Sequence, residues 1–311
     1  LTIVTSPTLS AFGGWLEQLL AESTGKEGKG TIPIDLEKCG PPDDYGHDRL
    51  FVYITLAGDK DVQRNSAINQ LQAAGHPIVR IALDDRYQIG SEMFRWEMAT
   101  AVAGALLGIN AFNQPDVEAS KLATLALTTE YETSGSLPPE TPLFEDNEIK
   151  VFTDERNAKA LRDIAGNDKT LLGYLKAHLS TIKAGDYFGL LAYIHMNETH
   201  HEPLNSIRHL IRDTKKVATC LEYGPRFLHS TGQLYKGGPN SGVFVQITCD
   251  DANDIKVPNQ TYTFGTVKAA QARGDFQVLS ERGRRALRLH LGKDVSAGLA
   301  ILKQTIEKAL N

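Results

Sequence analysis

Hydrophobic positions in the first hundred residues follow two periods. Residues 1–4, 50–56 (LFVYITL) and 76–83 (HPIVRIAL) are short apolar runs rich in β-branched side chains, the pattern of buried strands. Leu9, Phe12, Trp15, Leu16, Leu19 and Leu20 recur at helical spacing over 8–22, and Val62, Ile68 and Leu71 over 61–75. Residues 94–107 are apolar almost all round, with Ala99, Ala101, Ala103, Gly104 and Ala105 small enough for close backbone approach. That pattern predicts a helix inside a core. Pro115 ends it, because proline lacks an N–H and holds Gln114 extended; Asp116 then starts a helix carrying Val117, Glu118 and Lys121.

The second half repeats the plan. Helices are predicted over 170–183, 204–221, 263–281 and 295–310, strands over 187–194, 243–248 and 285–291, and a turn-rich loop over 224–242. Alternating strands and helices predict an α/β fold with mainly parallel sheets covered by helices. Between the halves, 122–157 changes composition, with SGSLPPETP and the acids Glu140, Glu145, Asp146, Glu148, Asp154 and Glu155. We therefore expect one unit over 1–130, a crossing segment over 131–165 and a second unit over 166–311.

At 311 residues there is room for two cores, and 41% apolar with 23% charged residues is a globular composition. The net charge of −5 gives no electrostatic reason to expect nucleic acid or an anionic membrane as partner. Cys39, Cys220 and Cys249 are far apart and in no metal-ligand spacing, which fits reduced thiols and a cytoplasmic location. The chain opens at Leu1 without Met or leader, so a piece of a longer polypeptide is expected.

Candidate chemistry begins at Glu22, predicted in the last helical turn before the glycine-rich GKEGKG. A carboxylate there is a candidate general base, although most such residues are ordinary surface acids. His195, His200 and His201 (HMNETHH) read as a polar surface loop rather than a metal site. Arg282, Arg284, Arg285 and Arg288 read as an ion-paired face before a phosphate site. GKEGKG and KGGPNSG lack the spacing of a phosphate-cradling P-loop.

Three segments resemble the glucose-6-phosphate isomerase family. Trp15, Gln18, Leu19, Glu22, Ser23, Gly25, Lys26, Lys29 and Gly30 match W-x-x-Q-L-x-x-E-S-x-G-K-x-x-K-G. Asn110, Phe112, Gln114, Pro115, Val117, Glu118 and Lys121 match G-x-N-x-F-x-Q-P-x-V-E-x-x-K, and His229 begins HSTGQ, similar to H-S-x-G-Q. The resemblance implies two divergent sugar-isomerase (SIS-like) three-layer units. It also implies interconversion of glucose 6-phosphate and fructose 6-phosphate through a cis-enediolate, without metal or other cofactor. Glu22 would move the proton, Lys121 and His229 would open the sugar ring, and Gln114 would hold substrate.

The chain departs from that pattern twice. HSTGQ follows Lys121 by about a hundred residues instead of preceding it, so His47, nearer the usual position, is a rival to His229. The G-G-R-[FY]-S signature and the Ser/Thr-rich phosphate loop are absent. The arrangement resembles the isomerase portion of a transaldolase–isomerase fusion, which implies upstream segments as partners, a homo-oligomer as a further option, and little activity in this chain alone. The rival reading is a non-catalytic sugar-phosphate-binding or assembly module supporting an upstream transaldolase.

Overall fold

The computed structural model describes residues 1–146 and 148–311; Asn147, inside the stretch read as a crossing segment, lies outside the described residues. Strands β1 (Thr2–Thr5), β2 (Phe51–Leu56) and β3 (Ile78–Leu83) form a parallel sheet in that order. Side chains alternate across β2, and the two faces go to different helices. Val52 and Ile54 pack with Phe12, Leu16 and Leu20 of α1 (Ser10–Thr24) and Trp96 of α3 (Ile89–Leu107). Phe51 and Tyr53 pack with Ile68 and Leu71 of α2 (Val62–Ala73). Gln114 stands just before α4 (Pro115–Ser134) without a side-chain capping bond, and Pro115 takes the first turn, where a missing N–H costs nothing.

The second sheet has the order β4-β5-β9-β8-β6-β7, from β4 (Phe144–Glu145), β5 (Ile149–Phe152), β6 (Tyr187–Tyr193), β7 (Ala218–Tyr223), β8 (Gly242–Cys249) and β9 (Arg285–Leu291). Strands β9, β8, β6 and β7 run parallel; β5 is antiparallel to β9, and β4 to β5. Helices α5 (Glu155–Ala165), α6 (Leu171–Ser180), α7 (Glu198–Lys215), α8 (Thr231–Gly237), α9 (Phe264–Glu281) and α10 (Val295–Leu310) surround it. Leu175, Ile207 and Leu302 of α6, α7 and α10 bury one face against Val245 and Leu289. The other face, with Tyr187, Leu191 and Phe244, takes Tyr235 of α8, Phe276 of α9 and also Ala21 of α1 and Ile34. The two halves therefore share a core, and α1 lies between the sheets. The fold is α/β with mostly parallel sheets covered by helices.

Four local readings change. The helix expected over 204–221 is α7, starting earlier and stopping at Lys215; Lys216 turns left-handed and β7 follows, because Thr219, Cys220 and Tyr223 have a strand position beside β6. The 224–242 loop contains a 3-10 turn, Arg226–His229, and the buried helix α8. Much of the stretch read as crossing is regular: α4 runs to Ser134, β5 joins the second sheet, and α5 is capped by Asp154 accepting from the Asn157 amide. Finally, α3 is not enclosed. Trp96, Thr100 and Gly104 are buried, but Phe94, Met98, Val102 and Leu106 are exposed.

Candidate functional site

Glu22 stands in the last turn of α1, two residues before the helix ends at Thr24. Gly25 follows because α8 crosses there: a Cβ on Gly25 would strike the backbone of Leu234. The glycine-rich run beyond is a tight, tied turn. Lys26 and Lys29 exchange backbone hydrogen bonds, and Gly28 N–H donates to Gly237 O. Both lysines hold the elbow after α3. Lys26 Nζ, buried, donates to Asn110 O at 2.9 Å, and Lys29 Nζ to Leu107 O at 2.6 Å. Burial lowers the Lys26 pKa, with the neighbouring Glu22 carboxylate opposing that shift.

Gln233 joins the three sequence-distant motifs. It is fully buried in α8, in the HSTGQ segment. Its Oε1 accepts from the amides of Asp116 (3.0 Å) and Val117 (3.3 Å) at the start of α4. Its Nε2 donates to Gly25 O (3.0 Å) and to Asp116 Oδ2 (2.9 Å). The other Asp116 oxygen accepts from Arg282 Nε at 2.9 Å. An acid at the α4 N-terminus also faces the positive end of the helix dipole.

Around this knot the candidate residues line two clefts. Glu22 and Gln114 share one of about 520 Å³ with Trp15, Gln18, Glu97 and Phe112, between α1, α3 and the elbow. Lys121 and His229 share another of about 310 Å³, with Tyr262. Gln18 links them: its Nε2 donates to Glu22 Oε2 at 3.3 Å and to the His229 carbonyl at 3.0 Å. Lys121 is exposed and ion-paired with Glu118 at 3.6 Å. His47 is exposed and lines neither cleft.

The other candidates have structural partners. Arg285 pairs with Asp186, Arg288 with Glu140, and Arg284 donates to the carbonyls of Lys236 and Gly238. His200 contacts His195 O, and His201 contacts the Tyr223 hydroxyl. Among the described residues no group of His, Cys, Asp or Glu could hold a metal ion, and no helix is long and apolar enough to cross a membrane.

Sequence reasoning assigned no role to three acids where α1 faces β7: Glu17, Asp35 and Glu222. Burial first, then the Glu17 charge, pushes the Asp35 pKa up to about 7. Burial, then Glu17, drives Glu222 well above the carboxylate range. Burial likewise raises Glu17, against a hydrogen bond with Glu222 and the charge of Arg208. Arg208 reaches the cluster by donating to Asp35 O at 2.9 Å.

No protein-family model matches the chain. Curated proteins do. An alignment 157 positions long, covering 39% of this chain and 35% of the other protein, is 31% identical to the glucose-6-phosphate isomerase of Pediococcus pentosaceus. Part of this chain is homologous to glucose-6-phosphate isomerases. The probable glucose-6-phosphate isomerase of Haloarcula marismortui matches at 29% over 152 aligned positions, which cover 38% of this chain and 35% of that protein. The Onion yellows phytoplasma enzyme matches at 31% over 163 aligned positions, which cover 41% of this chain and 38% of that protein. The chain thus spans about a third of the length of these relatives. Among solved structures, a hypothetical protein from Thermus thermophilus aligns with TM-score 0.40 at 12% identity, over 99% of this chain and 77% of that one. A putative sugar binding protein from Salmonella typhimurium aligns with TM-score 0.29 at 12% identity, over 99% and 87%. Similarity at those scores carries no inference about this chain.

Proposed function

We propose that the chain is the proton-transfer part of an aldose–ketose isomerase interconverting glucose 6-phosphate and fructose 6-phosphate. Glu22 takes the proton from C2 of the open-chain aldose and returns it to C1, while a hydroxyl proton passes from O2 to O1 through a cis-enediolate. Lys121 and His229 serve ring opening, and Gln114 holds substrate. The Gln18 amide carries the reading: it bonds the Glu22 carboxylate and the His229 carbonyl, 211 positions from Gln18 in sequence, at one cleft edge. His229 is thereby favoured over His47. In this reading upstream segments of a transaldolase–isomerase fusion supply the arginine and phosphate loop.

The test is isomerase turnover of fructose 6-phosphate by the longest native polypeptide containing this chain, beside the chain alone. Activity is expected in the longer form and little in the chain. In the active form Glu22→Gln should lower kcat by about 10²–10⁴; a loss below about tenfold would remove Glu22 as the base. One observation favours a non-catalytic sugar-phosphate-binding module: Lys121 and His229 line a different cleft from Glu22 and Gln114, and Lys121 is paired with Glu118. In that case Glu22→Gln leaves ligand affinity unchanged and the longer polypeptide shows no turnover.

A further inference from the structure

In open α/β sheets, ligands bind outside the carboxyl ends of the strands where the strand order reverses. In the second sheet the chain passes from β6 to β7 on one side, then returns to build β8 and β9 on the other. The reversal therefore lies between β6 and β8. A cleft of about 280 Å³ lies over β5, β9 and β8 and reaches that point at Tyr193, away from Glu22. Tyr193, the last residue of β6, and Thr248, at the end of β8, form its wall with Arg288 of β9. Lys268 and Arg273 of α9 overhang it, and Glu140 enters from the segment before β4.

We propose that this cleft binds a small phosphoryl-bearing molecule, its oxyanion held by Arg288, Arg273 and Lys268. The arginines are already arranged around an oxyanion. Arg288 Nη2 and Arg273 Nε both meet Glu140 Oε2, at 2.7 and 2.9 Å, so two guanidiniums share one carboxylate and one positive charge is left over. Glu140 is one-third exposed, whereas the Arg288 side chain is 4% exposed and lies over the rings of Phe152 and Phe276. A guanidinium so deeply buried is costly without full hydrogen bonding. Yet Arg288 Nε and the Tyr193 hydroxyl, both buried, have no partner among the described residues. A phosphoryl group offers several acceptor oxygens for such donors, and arginine forks match its geometry. Phe152, Leu137 and Pro138 give an apolar wall for a carbon skeleton. The cavity suits a ligand the size of a phosphorylated sugar or smaller.

The experiment is calorimetric titration of the whole chain with inorganic phosphate and, separately, with glucose 6-phosphate, each in wild type and in a Glu22→Gln, Gln114→Ala background. Binding that persists in that background is independent of the proposed isomerase site. Lys268→Met, which removes a partly exposed cation now paired with Asp251, is expected to weaken it by about tenfold or more. Glu140→Gln is expected to strengthen it, because the internal anion no longer competes. Tighter binding of the sugar phosphate assigns the ligand as a phosphate ester, and tighter binding of inorganic phosphate assigns the free ion. No heat from either probe up to about 10 mM, in wild type and in Glu140→Gln, overturns the site. So does loss of all binding in the Glu22→Gln, Gln114→Ala background, or affinity unchanged by Lys268→Met.

Discussion

Gln233 makes four hydrogen bonds through one buried amide, to groups 116, 117 and 208 positions away in sequence. Gln233→Leu keeps the volume and strands two buried N–H groups, a carbonyl and one Asp116 carboxylate oxygen. At about 1–3 kcal/mol for each unsatisfied group, the expected loss is about 3 kcal/mol or more, read as a lower denaturant midpoint with unchanged slope. A midpoint within error of wild type would show that water replaces the amide. Glu22, Gln114, Lys121 and His229 are singled out in the sequence by their motifs as candidates, but the contacts of Gln233 are not, because no local pattern records a contact over such separations. The same holds for Asp35, whose burial depends on Gly13 of α1 leaving room for its carboxyl. With its pKa raised from 3.8 to about 7, the folded state holds a proton that the unfolded state releases near pH 4. Its contribution to stability is present below pH ~4 and lost as pH rises through ~7. Asp35→Asn should therefore flatten the fall in Tm over that window and raise Tm at pH 8; parallel pH profiles for variant and wild type would contradict this.

Helix α1 connects sheet, site and second half, and its periodicity is plain: Phe12, Leu16 and Leu20 read as its core face and are buried. Its end is set by a contact the sequence does not show. Gly25→Ala puts a methyl group into the Leu234 backbone, so α1 and α8 must separate. The expected cost is about 1–3 kcal/mol, as for overpacked cores. It should move the Glu22 and His229 segments apart, giving a lower Tm and, in an active polypeptide, a larger loss in kcat than in substrate affinity. A variant with wild-type Tm and turnover would mean that the crossing has slack. Elements misread from sequence fail for one physical reason, that tertiary pairing overrides local preference. β7 exists because β6 offers it an edge, and α8 is buried because α1, α4 and α9 enclose it.

At the scale of the molecule, α3 is the place where sequence and structure disagree in a useful way. Its sequence asks for a core, and the fold gives it half of one. Phe94, Met98, Val102 and Leu106 are 64%, 50%, 52% and 84% exposed and recur every fourth residue, so they form one stripe along the helix. Going round α3, that stripe adjoins Glu97 and Ala101, which line the Glu22 cleft. A continuous apolar surface of this kind marks an interaction face. The chain also spans about a third of the length of its isomerase relatives. On the proposed function, the rest of the isomerase polypeptide covers the stripe and closes the cleft beside it. Met98→Lys with Val102→Glu should then leave the Tm of the 311-residue chain nearly unchanged, since exposed substitutions usually cost within about 0.5 kcal/mol. The same pair in the longer polypeptide should lower both Tm and isomerase turnover. If the longer form tolerates both charges with full activity, the stripe faces water there too, and the cleft must be completed from another side.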